Sequence, residues 1–269
     1  MDCVESVVEK FKSNFCRHFG VSVCMATYNG ERYLQEQVES ILLQLESTDE
    51  LIVVDDSSDD GTINLLRAIG DQRIIIHRNN SNLGHVQTFS KAISLASNPI
   101  ILMADQDDIW VTGRVAKMLK ALEEKGVDLV SSNSDFIDSE GRPIPPLHVG
   151  LSEADSRCYG ANIMRIFMGK AFYDGCAMGF RSSLRDLILP IPNYVESHDL
   201  WIAMASNIAK SNIHLVCITL KRRIHDQNAS VKNRLFKAKI RSRAVFLISL
   251  FHLSFRCLSI NYRISKNEK

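Results

Sequence analysis

Apolar positions along this chain alternate between two rhythms. Compact apolar runs occupy residues 21–26, 51–54, 73–77, 99–104 and 127–132, each the length of a buried strand. Between them lie stretches with apolar residues three or four apart, the period of one helical face. Residues 33–45 carry Leu34, Val38, Ile41, Leu42 and Leu45 in this way, and 62–69, 87–96 and 115–125 repeat it. Residues 2–16 share the spacing through Val4, Val7, Val8, Phe11 and Phe15, predicting a leading helix within 1–20. Strand and helix in this order predict parallel strands joined by crossover helices. Uninterrupted apolar strands predict a sheet covered on both faces. The fold class is therefore α/β, a single domain whose mostly parallel, Rossmann-like sheet is flanked by helices. Past residue 133 the rhythm loosens: three prolines mark a loop at 141–150, residues 200–208 look helical, and 213–219 read as a late strand.

Polar residues collect where the predicted strands end. Thr27-Tyr28-Asn29-Gly30 follows the first, Asp55-Asp56-Ser57-Ser58 the second, and Asp105-Gln106-Asp107-Asp108 the fourth. In open α/β sheets ligands bind at the carboxyl ends of strands, so the three clusters point to one site. Carboxylates as close as Asp105, Asp107 and Asp108 resist shared burial unless a cation or strong donors offset them. A divalent ion shared with substrate phosphates supplies that offset. The alternative is a helix cap, with Asp107 or Asp108 facing the dipole of the next helix. Asp55 and Asp56 offer acceptors for a uracil or thymine N3–H and for ribose hydroxyls, and a plain turn is the competing reading.

Composition narrows the field without choosing a function. A formal net charge of +1 supplies no field for nucleic acid, and no reader of bases is visible in the aromatic and basic pattern. Seven cysteines without any C-x-x-C spacing predict reduced thiols rather than a disulfide frame or zinc site. Charges scattered through 1–20 do not resemble a signal peptide. The longest apolar stretch, 244–255, contains His252 and is too short to span a bilayer, so no membrane crossing is expected.

Four blocks in order resemble glycosyltransferase family 2, whose members share the A-type nucleotide-sugar fold. They are residues 21–30 (VSVCMATYNG), 51–62 (LIVVDDSSDDGT), Asn82-Leu83-Gly84, and Asp105-Gln106-Asp107-Asp108-Ile109-Trp110. The last most resembles bacterial rhamnosyltransferase-like members that build surface polysaccharide. The resemblance spans roughly residues 20–230 and divides them into a nucleotide-sugar-binding half, 21–132, and an acceptor-binding half, 133–230. It implies a donor site of Ala26, Thr27, Tyr28, Asn29, Glu31, Asp55, Asp56, Asn82, Gly84, Asp105, Gln106 and Arg223. Within it Tyr28 lies along the nucleobase, Asp56 meets its polar edge and Asp105 faces the ribose. Asp107 and His225 are the implied ligands of Mn²⁺ or Mg²⁺. Glu196-Ser197-His198-Asp199-Leu200-Trp201 matches the block holding the family's catalytic base, which selects Asp199. Gly175-Cys176-Ala177-Met178 matches the block lining the acceptor; Trp110, Gly175, Cys176, His198 and Trp201 are the residues this places beside it. Departures are Ala26 and Arg222, where proline and an aromatic are common, and Val111-Thr112-Gly113, which lacks a common proline.

The implied reaction is a single displacement that inverts the anomeric centre. It runs from a dTDP- or UDP-sugar to a hydroxyl of a lipid-linked saccharide, in O-antigen or capsule synthesis. Asp199 takes the acceptor proton, and the ion at Asp107 neutralises the leaving diphosphate. Two rivals stand beside it, a nucleotidyltransferase and a non-catalytic nucleotide-sugar-binding protein. The first lacks its Gly-rich basic loop after the opening strand; the second sits poorly with Asp56, Asp107 and Asp199 together. The extension 231–269 is basic and amphipathic between 232 and 263. It suits the surface of an anionic membrane, or packing on the domain or in a homodimer. The expected place is the cytoplasm, with peripheral contact at the inner face of the plasma membrane.

Overall fold

Strand β1 (Val21–Thr27) is apolar without interruption because both of its faces are covered. Val21, Val23 and Met25 enter one hydrophobic cluster, and Cys24 enters the other. Strands β2 (Glu50–Asp55) and β4 (Ile100–Ala104) divide their side chains in the same way. Leu51, Val53 and Leu102 go to one side, Ile52, Val54, Ile101 and Met103 to the other. The computed structural model describes residues 19–171, 173–226 and 236–267, so the predicted leading helix lies outside the described residues.

Five further strands and a short edge complete one sheet: β3 (Ile74–Arg78), β5 (Ile109–Trp110), β6 (Leu129–Ile137), β7 (Pro143–Ile144), β8 (Met178–Arg181) and β9 (Asn212–Arg223). Their order is β3-β2-β1-β4-β8-β6-β9-β5, with β7 beside β6. Strands β1 to β4, β6 and β9 point one way, whereas β5, β7 and β8 oppose them. The strand order turns back at β1 and β4, and the carboxyl ends of β1, β2 and β4 open beside each other there.

On one face of the sheet, α1 (Glu31–Leu42) buries Leu34, Val38 and Ile41, and α4 (Arg114–Lys125) buries Met118, Leu119 and Leu122. The next helix in the chain after α1 is α2 (Thr62–Ile69), which stops at Gly70 in the left-handed conformation (φ 67°). The other face is covered by α3 (His85–Leu95), with Phe89 and Ile93, and by α7 (His198–Ile208), with Trp201 and Ile202. Helices α5 (Tyr159–Met168) and α6 (Arg185–Ile188) lie before α7 in the chain, and α8 (Phe236–Asn267) comes last.

Two features depart from expectation. The short antiparallel strand β8 sits between β4 and β6 and was not foreseen; Gly179 lets it approach, since a Cβ there would lie 2.5 Å from Leu102 Cδ2. The C-terminal extension is also more apolar than expected. Within α8, Ile240–Ile260 is 21 residues at mean hydropathy 1.5, long and apolar enough to cross a membrane by length and composition. The expected stretch, 244–255, already held His252 and stopped before Arg256; in the fold the His252 ring hydrogen-bonds Tyr194 Oη at 2.7 Å and Arg256 donates to Leu187 O and Pro190 O. Its inner side packs on the domain through Leu253, with Phe246, Leu250 and Cys257 around it.

Candidate active site

The loops after β1, β2 and β4 hold one another through side chains. Gln106 clamps the Tyr28 peptide from both ends: Tyr28 N–H donates to Oε1 at 2.9 Å, and Nε2 donates to Tyr28 O at 3.1 Å. Gly30 leaves room for this clamp, because a Cβ there would sit 2.3 Å from Gln106 Oε1 and displace the amide. Asn29, at φ 48°, receives Asp59 N–H and donates its own N–H to Ser58 Oγ. Glu31 joins the same knot by accepting Gly61 N–H at 3.0 Å. The result is a rigid rim from which the Tyr28 side chain stands 47% exposed. Ala26 lies half-buried one turn of the pleat below.

Asp55 and Asp56 have different surroundings. Asp55 is fully buried and accepts from Thr27 Oγ1, Ser58 N–H and Ser58 Oγ, with Arg78 Nε 3.5 Å away. Both of its oxygens are used within the fold, so the expectation that Asp55 touches a nucleotide is corrected. Asp56 accepts from Asn79 Nδ2 (2.8 Å), Leu83 N–H (2.9 Å) and Gly84 N–H (2.8 Å). It thereby fixes the Asn82–Gly84 turn, where Asn82 Oδ1 also receives Gly84 N–H. Gly84 serves here because φ is 82°.

The acidic knot after β4 is built around the end of β9. His225 Nε2 lies 2.8 Å from Asp107 Oδ2. Asp108 is buried: Oδ1 accepts Arg223 N–H at 3.0 Å, and Oδ2 has no hydrogen-bond partner by distance and angle among the described residues. Burial, then Asp107 and Asp105, push the Asp108 carboxyl well above its ordinary range. Asp105 moves up for the same reasons, burial first and Asp107 second. Ligand atoms of Asp105, Asp108 and Cys176 all fall within 4.8 Å of one another. These observations fit a divalent cation, since two buried carboxyls this close, with the Cys176 thiol beside both, are short of positive charge. Burial also holds the Cys176 thiol well above its usual value, so it remains S–H and a poor partner for a hard ion. Carboxylates and the His225 imidazole are the residues suited to hold it.

Asp199 opens α7 across from this knot. Ser197 caps the helix, accepting Leu200 N–H at 3.3 Å and donating its hydroxyl to Asp199 Oδ1, which also receives Leu200 N–H at 2.8 Å. Burial raises the Asp199 pKa to about 6; the Leu200 N–H opposes the rise and Asp174 adds to it. Gly175 packs against this turn so closely that a Cβ would lie 2.8 Å from His198 Nε2 and 3.3 Å from Asp199 Cβ. His198 stacks on Phe89 at 4.1 Å, and neither ring nitrogen has a hydrogen-bond partner among the described residues. Arg222 joins the two sides of the site. Its Nη1 meets Asp174 Oδ1 at 2.5 Å. Burial alone would lower its pKa, but Cys176, Asp174, Asp105 and Asp108 together outweigh that and raise it. The same guanidinium opposes the upward shifts of Asp105 and Asp199.

The family model for Glycosyl transferase family 2 matches residues 22–188. The chain belongs to this family. A curated E. coli relative, the UDP-Glc:alpha-D-GlcNAc-diphosphoundecaprenol beta-1,3-glucosyltransferase WfaP, is 33% identical over 130 residues, 47% of this chain and 52% of that protein. The chain thus spans about half the length of that relative. A second E. coli glucosyltransferase of the same description, WfgD, is 22% identical over 73% of this chain and 75% of its own. Among solved structures, S. aureus TarS in complex with UDP-GlcNAc superposes with a TM-score of 0.66 at 19% identity, covering 85% of this chain and 66% of that one. The Pyrobaculum calidifontis mannosyltransferase in complex with GDP-Man and Mn²⁺ gives 0.60 at 16%, covering 94% and 80%. These likenesses carry the fold, a mixed α/β domain of A type.

Within this family member, several expected ligand contacts are framework instead. Arg223 is buried, with Nε on Asp107 O, Nη1 on Asp138 O and Nη2 on Glu36 Oε2, and its plane lies over Tyr33 at 4.7 Å. It holds the acidic loop rather than a phosphate. Trp201 is a core residue whose Nε1 donates to Ile188 O at 2.9 Å. Trp110 is buried under Arg114, 4.6 Å from the ring centroid, so neither tryptophan offers a face to a sugar. Cys176 turns to Asp105 and Asp108, not to an acceptor. Sequence reasoning missed Asp174 and Arg114. Arg114 is buried and donates to Thr219 Oγ1, Cys176 O and Met103 O; burial lowers its pKa to about 10, against the pull of Cys176 and Asp108. An arginine opening an amphipathic helix signals no such role in one dimension.

Proposed function

We propose that the chain transfers a hexose, with inversion, from a UDP- or dTDP-sugar to a hydroxyl of a lipid-linked saccharide. The observation that carries this reading is the position of Arg222 among the acidic groups. Its guanidinium pairs with Asp174 Oδ1 at 2.5 Å and lies within electrostatic reach of Asp105 and Asp108 after β4 and of Asp199 in the first turn of α7. A donor diphosphate fits beside Asp105 and Asp108, and a hydroxyl to be deprotonated fits beside Asp199. Tyr28 on its clamped rim suits stacking against the nucleobase, while Asp56, with both oxygens taken by Asn79, Leu83 and Gly84, shapes the Asn82–Gly84 turn.

Asp107 and His225 would hold the cation. A mixed oxygen and imidazole set favours Mn²⁺ over Mg²⁺, which prefers oxygen and keeps its waters. When bound, the ion supplies Lewis-acid neutralisation of the departing diphosphate. Asp199 takes the proton from the acceptor hydroxyl as that oxygen bonds to C1. The C1–O bond to the diphosphate breaks in the same displacement, and its electron pair leaves with the nucleoside diphosphate. Arg222 balances the charge on both flanks as it shifts. No enzyme nucleophile is needed, so the anomeric centre inverts. WfaP and WfgD, named for action on GlcNAc-diphosphoundecaprenol, support a polyprenyl-linked acceptor. They also make UDP-glucose the first donor to test.

Turnover of UDP-glucose with Mn²⁺ and a synthetic GlcNAc-diphospholipid tests the assignment. Asp199→Asn lowers kcat by ~10²–10⁴-fold while donor affinity holds. Since a base acts deprotonated, the wild-type rate climbs as pH rises through about 6, the Asp199 value. A variant that keeps full turnover, or loses donor binding instead, overturns Asp199 as the base.

A further inference from the structure

Helix α8 packs one side on the domain and leaves the opposite side bare. Ile240, Ala244, Leu247, Ile248, Phe251, Phe255 and Leu258 are all exposed. Their spacing places them within an arc of roughly 100° around the helix axis, continuous over ~27 Å of its length. Phe251, Phe255 and Leu258 are 77%, 72% and 69% exposed, far more than isolated surface apolar residues require. The inner arc is occupied: Leu253 and Ser249 are buried, and Arg256 donates to Leu187 O and Pro190 O. A helix fixed along one side cannot cross a bilayer in this arrangement, but it can lie in the plane of one.

Charge selects the occupant. Residues 231–267 contain nine Lys or Arg and not one Asp or Glu. Arg241 and Arg243 flank the apolar arc on its two sides near the start of the helix. A second copy of α8 laid on this stripe would bring only like charge and no acidic flank to pair with. An anionic lipid surface supplies both the apolar layer and the counter-charge, at ~1 kcal/mol of attraction per basic residue near it. We propose that the outer face of α8 docks in the interface of an anionic bilayer, parallel to its plane.

The docking also orients the site. Ser242 Oγ donates to Glu196 Oε2 at 2.7 Å and Arg241 Nε lies 3.3 Å from Glu196 Oε1, three residues before Asp199. The start of α8 is therefore tied to the turn that carries the proposed base. Resting on the transfer reading, this places Asp199 close to the level at which a lipid-linked acceptor presents its sugar.

The test uses the full chain with vesicles of phosphatidylcholine, alone or mixed with phosphatidylglycerol. Wild type sediments with the mixed vesicles, is released by high salt, and binds neutral vesicles far less. Phe251→Glu/Phe255→Glu weakens binding by at least ~10-fold for each ring removed from the lipid. Because both rings are exposed in the fold, its melting temperature and its transfer to a short soluble acceptor stay at the wild-type level. Transfer to a lipid-linked acceptor in vesicles falls. The proposal fails if the double variant binds as wild type does. It fails equally if light scattering shows a dimer that the substitutions split while neither protein binds vesicles, or if the bound protein resists alkaline carbonate as a spanning helix would. Vesicle binding is read without donor or turnover, so its outcome is independent of the transfer reading.

Discussion

At the scale of single residues, the site is governed by side chains denied their usual solvation. His198 is the sharpest case. Burial, with His85 beside it, lowers its pKa to about 3, against an ordinary value of 6.5. Below pH 6.5 the unfolded chain takes up a proton that the folded one refuses, so stability falls as pH drops toward 3. Between pH 7.5 and pH 5 this group alone removes ~2 kcal/mol. His198→Leu removes that part of the slope, which urea unfolding at the two pH values reads directly; equal slopes in both proteins would contradict the assignment. The same scale marks what sequence could not disclose. Asp55 and Asp56 are adjacent acids at one strand end, yet one is consumed by Ser58 and Thr27 while the other braces the Gly84 turn. Arg223 and Arg222 likewise divide into a brace and a charge bridge. Residue type gives the donors and acceptors; only packing shows which are already spent.

At the scale of elements, the site depends on how α7 begins. Its first turn is set by the Ser197 cap and by contact with Gly175, at the head of the short turn leading into β8. Gly175→Ala puts a methyl 2.8 Å from His198 Nε2 and 3.3 Å from Asp199 Cβ, so the first turn of α7 must yield slightly. Since about 1 Å of misplacement costs a reacting group ~10²-fold in rate, this smaller shift costs roughly several-fold. A kcat reduced to that extent, with donor affinity retained, is the expected result of steady-state kinetics; an unchanged kcat would show that the turn has slack. Strands β1, β2 and β4 were legible from sequence because burial on both faces makes them continuously apolar. Strand β8 was not, since Met178–Arg181 is four residues with a glycine and pairs antiparallel far from its sequence neighbours. Helix α8 was seen as basic and amphipathic, but its apolar length was ended before Arg256, whose guanidinium the fold accommodates on Leu187 O and Pro190 O.

At the scale of the whole molecule, one sheet carries both halves of the proposed reaction. The loops after β1, β2 and β4 form the donor rim, and the chain beyond β6 returns Asp174, Asp199, Arg222 and His225 to it. The antiparallel strand β8 makes this return compact, setting Cys176 and Gly175 beside the end of β4. Such a site calls for positive charge to arrive with the substrate, because Asp105, Asp108, Asp174 and Asp199 share the one Arg222 guanidinium. Calorimetric titration of UDP into the protein, with and without Mn²⁺, tests this most directly. Mn²⁺ should strengthen UDP binding by at least ~10-fold, and Asp107→Ala should abolish that gain while leaving metal-free binding in place. UDP affinity indifferent to Mn²⁺ in both proteins would contradict the account.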